Sequence, residues 1–116
     1  MYLAIVGGRD FNDYDSFKKI VEEYFETIGI PIHIISGGAK GVDTMAETYA
    51  LEKKIPTVIF HPEWHIYGKK AGILRNTDII NASTHVLALP TANSKGTYDS
   101  ISKARKLGKH LTIHHV

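Results

Sequence analysis

Three glycine-bearing stretches hold the residues whose types and spacing fit chemistry. Gly7-Gly8-Arg9-Asp10-Phe11 follows the first apolar run, and Ser36-Gly37-Gly38-Ala39-Lys40-Gly41-Val42-Asp43 follows the second. The third runs from Pro90 to Gly96-Thr97, and a fourth cluster, His61-Pro62-Glu63-Trp64, follows the third apolar run. Glycine admits positive φ and lets a ligand approach the backbone. A loop feeding a helix start offers free N–H groups and the positive dipole end to an anion. Basic residues gather beside the same stretches: Arg9, Lys40, Lys69, Lys70, Arg75 and Lys95 are six of the 14 Lys and Arg. Arginine holds phosphate with a two-pronged fork, whereas lysine acts as a point charge. Arg9 and Arg75 are the stronger candidates, since each stands at a strand end or helix start near glycine.

Carboxylates occur in the same places. Asp10, Asp43 and Glu63 can hydrogen-bond ribose hydroxyls or serve as acid or base. Asp43 can equally cap its own helix. Glu47, one turn later, faces either the site or solvent. Trp64 is the only tryptophan, with Tyr67 nearby. It suits a platform for a base, a lid over the sheet edge, or a subunit contact. His61 and His65 are four apart, but Pro62 follows His61, and no His-Glu-x-x-His motif is present. No metal and no cofactor are therefore expected. Gly7-Gly8 lacks the third glycine of the dinucleotide fingerprint, and no Gly-Lys-Ser/Thr follows Gly37–Gly41, which argues against a Walker-type ATPase.

These residues need a frame. Tyr2–Val6, Ile32–Ile35, Thr57–Phe60, His85–Leu89 and Leu111–Ile113 read as strands. Between them, helical spacing takes over. Phe17, Ile20, Val21, Tyr24, Phe25 and Ile28 form one apolar stripe, with Asn12 or Asp13 as cap and Gly29 with Pro31 as stop. Val42, Met45, Ala46, Tyr49 and Ala50 form a second stripe. Ala71–Asn81 carries a weaker one. Thr97–Leu107 turns Ile101, Ala104 and Leu107 inward, with Gly108 beyond its end. His61–Lys70 and Thr91–Gly96 read as loop. Strictly alternating strands and helices predict an α/β fold, a single Rossmann-like three-layer domain over 1–116 with a mostly parallel five-stranded sheet. In such a sheet every cluster named above lies beyond the carboxyl end of a strand, where ligands bind.

Composition narrows the function. The chain has 116 residues, 43% hydrophobic and 22% charged, with no cysteine. That fits one globular domain and excludes thiol nucleophiles, thiolate metal sites and a disulfide framework. A net charge of +2 argues against a dedicated duplex-DNA or polybasic membrane binder. No apolar run spans a bilayer, and the start lacks a basic leader and cleavage site. The expected setting is cytoplasmic.

The motifs together resemble the SLOG superfamily, in particular its small stand-alone branch related to YspA. Gly7–Phe11 and Ser36–Asp43 carry the likeness. His61-Pro62-Glu63-Trp64, Tyr67-Gly68-Lys69, Ala71-Gly72 and Arg75-Asn76 extend it, so that it runs from Ala4 to Gly108. The resemblance implies a Rossmann-like fold that binds nucleotides, nucleotide-derived signals or nucleic acid. Relatives include cytokinin-activating phosphoribohydrolases, the DNA-processing protein DprA and sensors of NAD-derived signals. The hydrolase branch implies a functional arginine at Arg75 and matches Pro90–Ser100 to its Pro-Gly-Gly-x-Gly-Thr-x-x-Glu segment. Here Gly96-Thr97 is retained, Thr91 and Ala92 follow Pro90, and the loop is two residues longer. Ser100 stands in place of the glutamate and cannot supply its carboxylate chemistry. Asp99, one residue off, is turned by about 100°.

The reading that follows is a binder of a nucleotide-derived ligand, of ADP-ribose, NAD-derived or cyclic-nucleotide type, that senses or sequesters a signal, in bacterial or viral defence or counter-defence. Its expected contacts are Gly8, Arg9, Asp10, Ser36, Gly37, Gly38, Ala39, Lys40, Gly41, Asp43, Trp64, Arg75, Asn76, Gly96 and Thr97. The alternative is a phosphoribohydrolase-like enzyme using Glu63, Asp43 and Arg75. Single-strand DNA binding ranks third, nucleic acid and membrane being the less favoured partners. A small domain leaves helix faces to cover, and the resemblance implies a dimer or tetramer.

Overall fold

Short apolar runs alternate their side chains between two faces, and both faces here are covered. The computed structural model describes residues 1–116. Strands β1 (Tyr2–Gly7), β2 (His33–Ser36), β3 (Thr57–Ile59), β4 (His85–Leu89) and β5 (His110–Ile113) form one sheet in the order β3-β2-β1-β4-β5. Every pairing is parallel, with Tyr2 opposite His33, Leu3 opposite His85, Ile34 opposite Thr57 and His85 opposite His110. The expectation of a mostly parallel sheet is met by one that is wholly parallel.

Period-two alternation divides the core. Leu3, Ile5, Ile34, Leu87 and Leu89 point to one face and meet α1 (Tyr14–Ile28) and α2 (Val42–Lys53) through Phe17, Val21, Met45 and Tyr49. Ala4, Val6, Ile35, Val86 and Ala88 point to the other and meet α4 (Ala71–Ala82) and α5 (Lys95–Lys106) through Ile79, Ile80, Ile101 and Ala104. Phe17 is fully buried; truncating such a side chain to alanine costs about 3–5 kcal/mol.

Local signals set the helix ends. Asp13, rather than Asn12, caps α1: one carboxylate oxygen accepts the Ser16 N–H at 3.1 Å and the other the Ser16 hydroxyl at 2.8 Å. Those bonds hold the Asp13 pKa below its ordinary value. Gly29 closes α1, its N–H returning to the Phe25 carbonyl.

Three local readings are corrected. The 61–70 stretch is not all loop: α3 (Trp64–Tyr67) and a 3-10 turn (Gly68–Lys70) lie within it. The Glu63 carbonyl accepts the N–H groups of Ile66 and Tyr67, and Gly68, at φ +58°, ends the turn. Helix α5 starts at Lys95 rather than Thr97, with Ser94 at the cap position. Leu107 stands past the end of α5 and is exposed, not turned inward.

The chain builds the sheet outward from β1 through β2 to β3, then crosses back to β4 on the other side of β1. Strand order therefore reverses between β1 and β4, and a crevice opens beyond their carboxyl ends.

Candidate functional site

Helix α4 buries Ala71, Arg75, Asn76, Ile79 and Ile80. The spacing is helical, but two of the inward side chains are polar. Arg75 is only 9% exposed. Its Nε donates to the Asn76 Oδ1 at 3.0 Å, and its Nη1 donates to the Gly37 carbonyl. No carboxylate pairs with it; the only ion pair in the molecule joins Lys103 to Asp99 at 2.7 Å. Burial pulls the Arg75 pKa below its ordinary value, Asp43 opposes that, and Arg9 adds to it. The result is a nearly buried cation that still faces open space.

That space has two lobes. The first, about 480 Å³, lies at the β1/β4 switch and is lined by Arg9, Asp10, Asp43, Arg75, Lys95 and Thr97, among others. The second, about 660 Å³, lies outside β2 and β3, between Gly37–Lys40 and His61–Trp64. Arg9, Ala39 and Arg75 line both.

Glycine is required where the loops cross. A Cβ on Gly37 would lie 2.7 Å from Arg75 Nη1 and 3.0 Å from Asp43 Oδ2. Gly41 has φ +71°, and a Cβ there would strike the Gly8 carbonyl oxygen. That carbonyl accepts the Val42 N–H, while the Gly8 N–H donates to the Leu89 carbonyl. The β1, β2 and β4 loops are thereby joined. Across the crevice mouth, the Thr91 hydroxyl donates to Asp10 Oδ1 at 2.7 Å.

Asp43 does not cap α2; Gly41 holds that position. The carboxylate folds back instead and accepts the Ala39 N–H at 3.1 Å. Burial pushes its pKa up to about 6; the Ala39 bond and the Arg75 charge pull the other way. Ser36 is buried and donates to Glu47 Oε2 at 2.7 Å, which places Glu47 against the loop. The Ser36 hydroxyl also accepts the Gly38 N–H at 3.4 Å. Two amides of this loop are thus used internally, and those of Gly37, Lys40 and Gly41 have no partner within the chain.

The start of α5 is open. The Ser94 hydroxyl turns back to the Thr91 carbonyl at 2.9 Å rather than capping the helix. The N–H groups of Lys95, Gly96 and Thr97 have no partner within the chain, and all three residues line the first lobe. Asn76 Nδ2 fixes this end by donating to the Gly96 carbonyl at 3.3 Å and to Asp99 Oδ2 at 3.2 Å. A helix start beside an unpaired guanidinium is suited to an anion.

The other expected residues separate. Arg9, Asp10, Asp43, Arg75, Asn76, Gly96 and Thr97 meet in the first lobe. Gly37, Gly38, Lys40 and Trp64 line the second. Gly8 and Ser36 support the loops from behind. Glu63 is exposed at the start of α3 and lines neither lobe, so the structure does not bring it to Arg75 or Asp43. Asp99 is engaged by Asn76 and Lys103, whereas Ser100 faces the first lobe. The sequence reading set Asn93 and Ser94 in the Pro90–Thr97 stretch without naming them as contacts, and both line this lobe. His61, weighed only as a metal ligand, packs against Gly38 in the second lobe. The histidines and acids form no group of three able to hold a metal, and no helix is long and apolar enough to cross a membrane.

Comparison with known proteins agrees with this architecture. The chain is 28% identical over 112 residues to the gene 61 protein of Mycobacterium phage D29, spanning 91% of this chain and 90% of that one. Its fold is similar to that of DNA processing protein A (DprA) from Streptococcus pneumoniae, with a TM-score of 0.76 and 20% identity. That likeness covers 97% of this chain and 49% of the other, so the chain spans about half of the DprA chain. The expectation that nucleic acid is a disfavoured partner gains no support from it. A family model for the YspA, cpYpsA-related SLOG family matches residues 1–67, more than half of the chain. With the parallel sheet and the glycine loops in place, the chain belongs to that SLOG family.

Proposed function

We propose that this protein binds a phosphorylated, nucleotide-derived ligand at the carboxyl edge of its sheet, to sense or sequester a signal. The observation that carries the reading is Arg75: a guanidinium 9% exposed, without a carboxylate partner, opening onto a cavity beside three unpaired helix-start amides. Burying an arginine without a directly paired carboxylate is costly. A phosphate seated between it and the start of α5 would offset that cost. Arg9 and Lys95 add positive charge to the same lobe. The phage relative is in keeping with a phage-associated role.

A serine at the position of the hydrolase branch's glutamate favours binding over turnover. Ser100 occupies that position, and Asp99 is held by Lys103. Asp43 is the one buried acid in the lobe, and its raised pKa suits an acid or base, which keeps hydrolysis as the second reading.

Native mass spectrometry of freshly purified protein, followed by calorimetric titration with nucleoside monophosphates, ADP-ribose and cyclic dinucleotides, tests the proposal. Micromolar affinity that Arg75→Ala weakens roughly 30-fold or more is the expected result. No nucleotide binding, or binding indifferent to Arg75, would overturn it. Turnover lost in Asp43→Ala would move the protein to the hydrolase reading.

A further inference from the structure

We infer that the ligand is a dinucleotide, with two nucleoside halves joined through phosphate, one half in each lobe. This rests on the phosphate-binding reading above and extends it to the second cavity. Arg9 and Arg75 line both lobes, so the two cationic side chains stand on the saddle between them. A linking phosphate or pyrophosphate placed there would meet both arginines. Each lobe, at about 480 and 660 Å³, is by itself within the roughly 300–1,000 Å³ of small-molecule sites, so a mononucleotide leaves one of them empty.

The second lobe is built for the remaining half. Its lining includes Arg9, Lys40 and Arg75 and no carboxylate, so it favours anionic ligands more strongly than the first, which includes Asp10 and Asp43. It also contains two flat rings, His61 and Trp64. His61 is backed by Gly38, and the edge of the Trp64 indole lies against Gly72 of α4, which leaves 52% of the tryptophan exposed. An aromatic surface beside three cations suits a base with its phosphate, stacking being worth about 1–3 kcal/mol per base. The first lobe lacks any aromatic lining and offers hydrogen-bonding groups instead.

The test compares AMP and GMP with the pyrophosphate-linked dinucleotides of the same bases by calorimetric titration, on wild-type protein and on Trp64→Ala, His61→Ala and Arg75→Ala. Dinucleotides should bind at least 10-fold more tightly than mononucleotides. Trp64→Ala and His61→Ala should each remove most of that advantage. Equal affinity for the two ligand sizes, or a dinucleotide advantage that survives both ring substitutions, overturns the inference while the phosphate reading stands. If no ligand binds, the phosphate reading falls and takes this inference with it. A ten-nucleotide single strand that binds more tightly than the dinucleotide, with affinity falling steeply in salt, also overturns it.

Discussion

Arg75 reaches across the sheet edge to donate to the carbonyl of Gly37, so α4 and the loop after β2 are locked by one guanidinium. The same group is the central cation of both lobes. Arg75→Ala should weaken phosphate-ligand binding roughly 30-fold or more, the scale for truncating a buried charged partner. Arg75→Lys should recover part of the loss, because it keeps the charge and lacks the fork. Titration calorimetry on the three proteins checks the order wild type, lysine, alanine.

Asp43 gives the site a pH dependence with a definite sign. Its pKa in the fold, about 6, lies above the ordinary 3.8, so the folded chain holds the proton more tightly than the unfolded one. The corresponding stability is fully present below pH 3.8 and is lost as pH rises through 6. It amounts to about 3 kcal/mol at roughly 1.4 kcal/mol per unit. Protonation also removes a negative charge from the first lobe. A pyrophosphate-linked ligand, whose own charge is constant in this range, should bind several-fold more tightly at pH 5 than at pH 8. Asp43→Asn should flatten both dependences, measured by urea unfolding and titration at the two pH values.

Gly41 joins two loops through a backbone conformation that other residues resist. Gly41→Ala would keep φ near +71° only under strain and would press a methyl on the Gly8 carbonyl. A loss of about 1–3 kcal/mol or more follows. Chemical denaturation checks it, and the variant's ligand affinity should fall as well, since the Gly8 and Lys40 backbones move together.

Asn76 is a positioning residue. It accepts from Arg75 and donates to Gly96 and Asp99, tying the guanidinium to the start of α5. Asn76→Ala should lower affinity about 10-fold while Arg75 itself remains, the scale of losing one or two hydrogen bonds to a charged group. Asn76→Asp, which keeps the acceptor and loses the donor, should separate the two ties; titration of both variants at low and high salt reads the difference.

The frame was legible because it rests on period. The stripe from Phe17 to Ile28 and the runs at Tyr2–Gly7 and His85–Leu89 follow from apolar spacing alone. The weak stripe of α4 had a physical cause that spacing could not show: two of its inward positions are Arg75 and Asn76. Glycine clusters pointed to the correct edge, since parallel strands put every carboxyl end on one side. What stayed hidden were side-chain directions. Asp43 turns back to Ala39, Asp99 turns to Lys103, and Glu63 stands away from both lobes. Those depend on contacts between elements distant in the chain.

The reversal of strand order between β1 and β4 means that neither half of the polypeptide owns the crevice. Residues 1–67, which the family model matches, supply one bank; Arg75, Asn76 and the start of α5 supply the other. Substitution in the later half can therefore retarget what the protein recognises while the earlier half keeps the scaffold. An exchange of Pro90–Ser100 between two family members is the most economical way to swap their ligands.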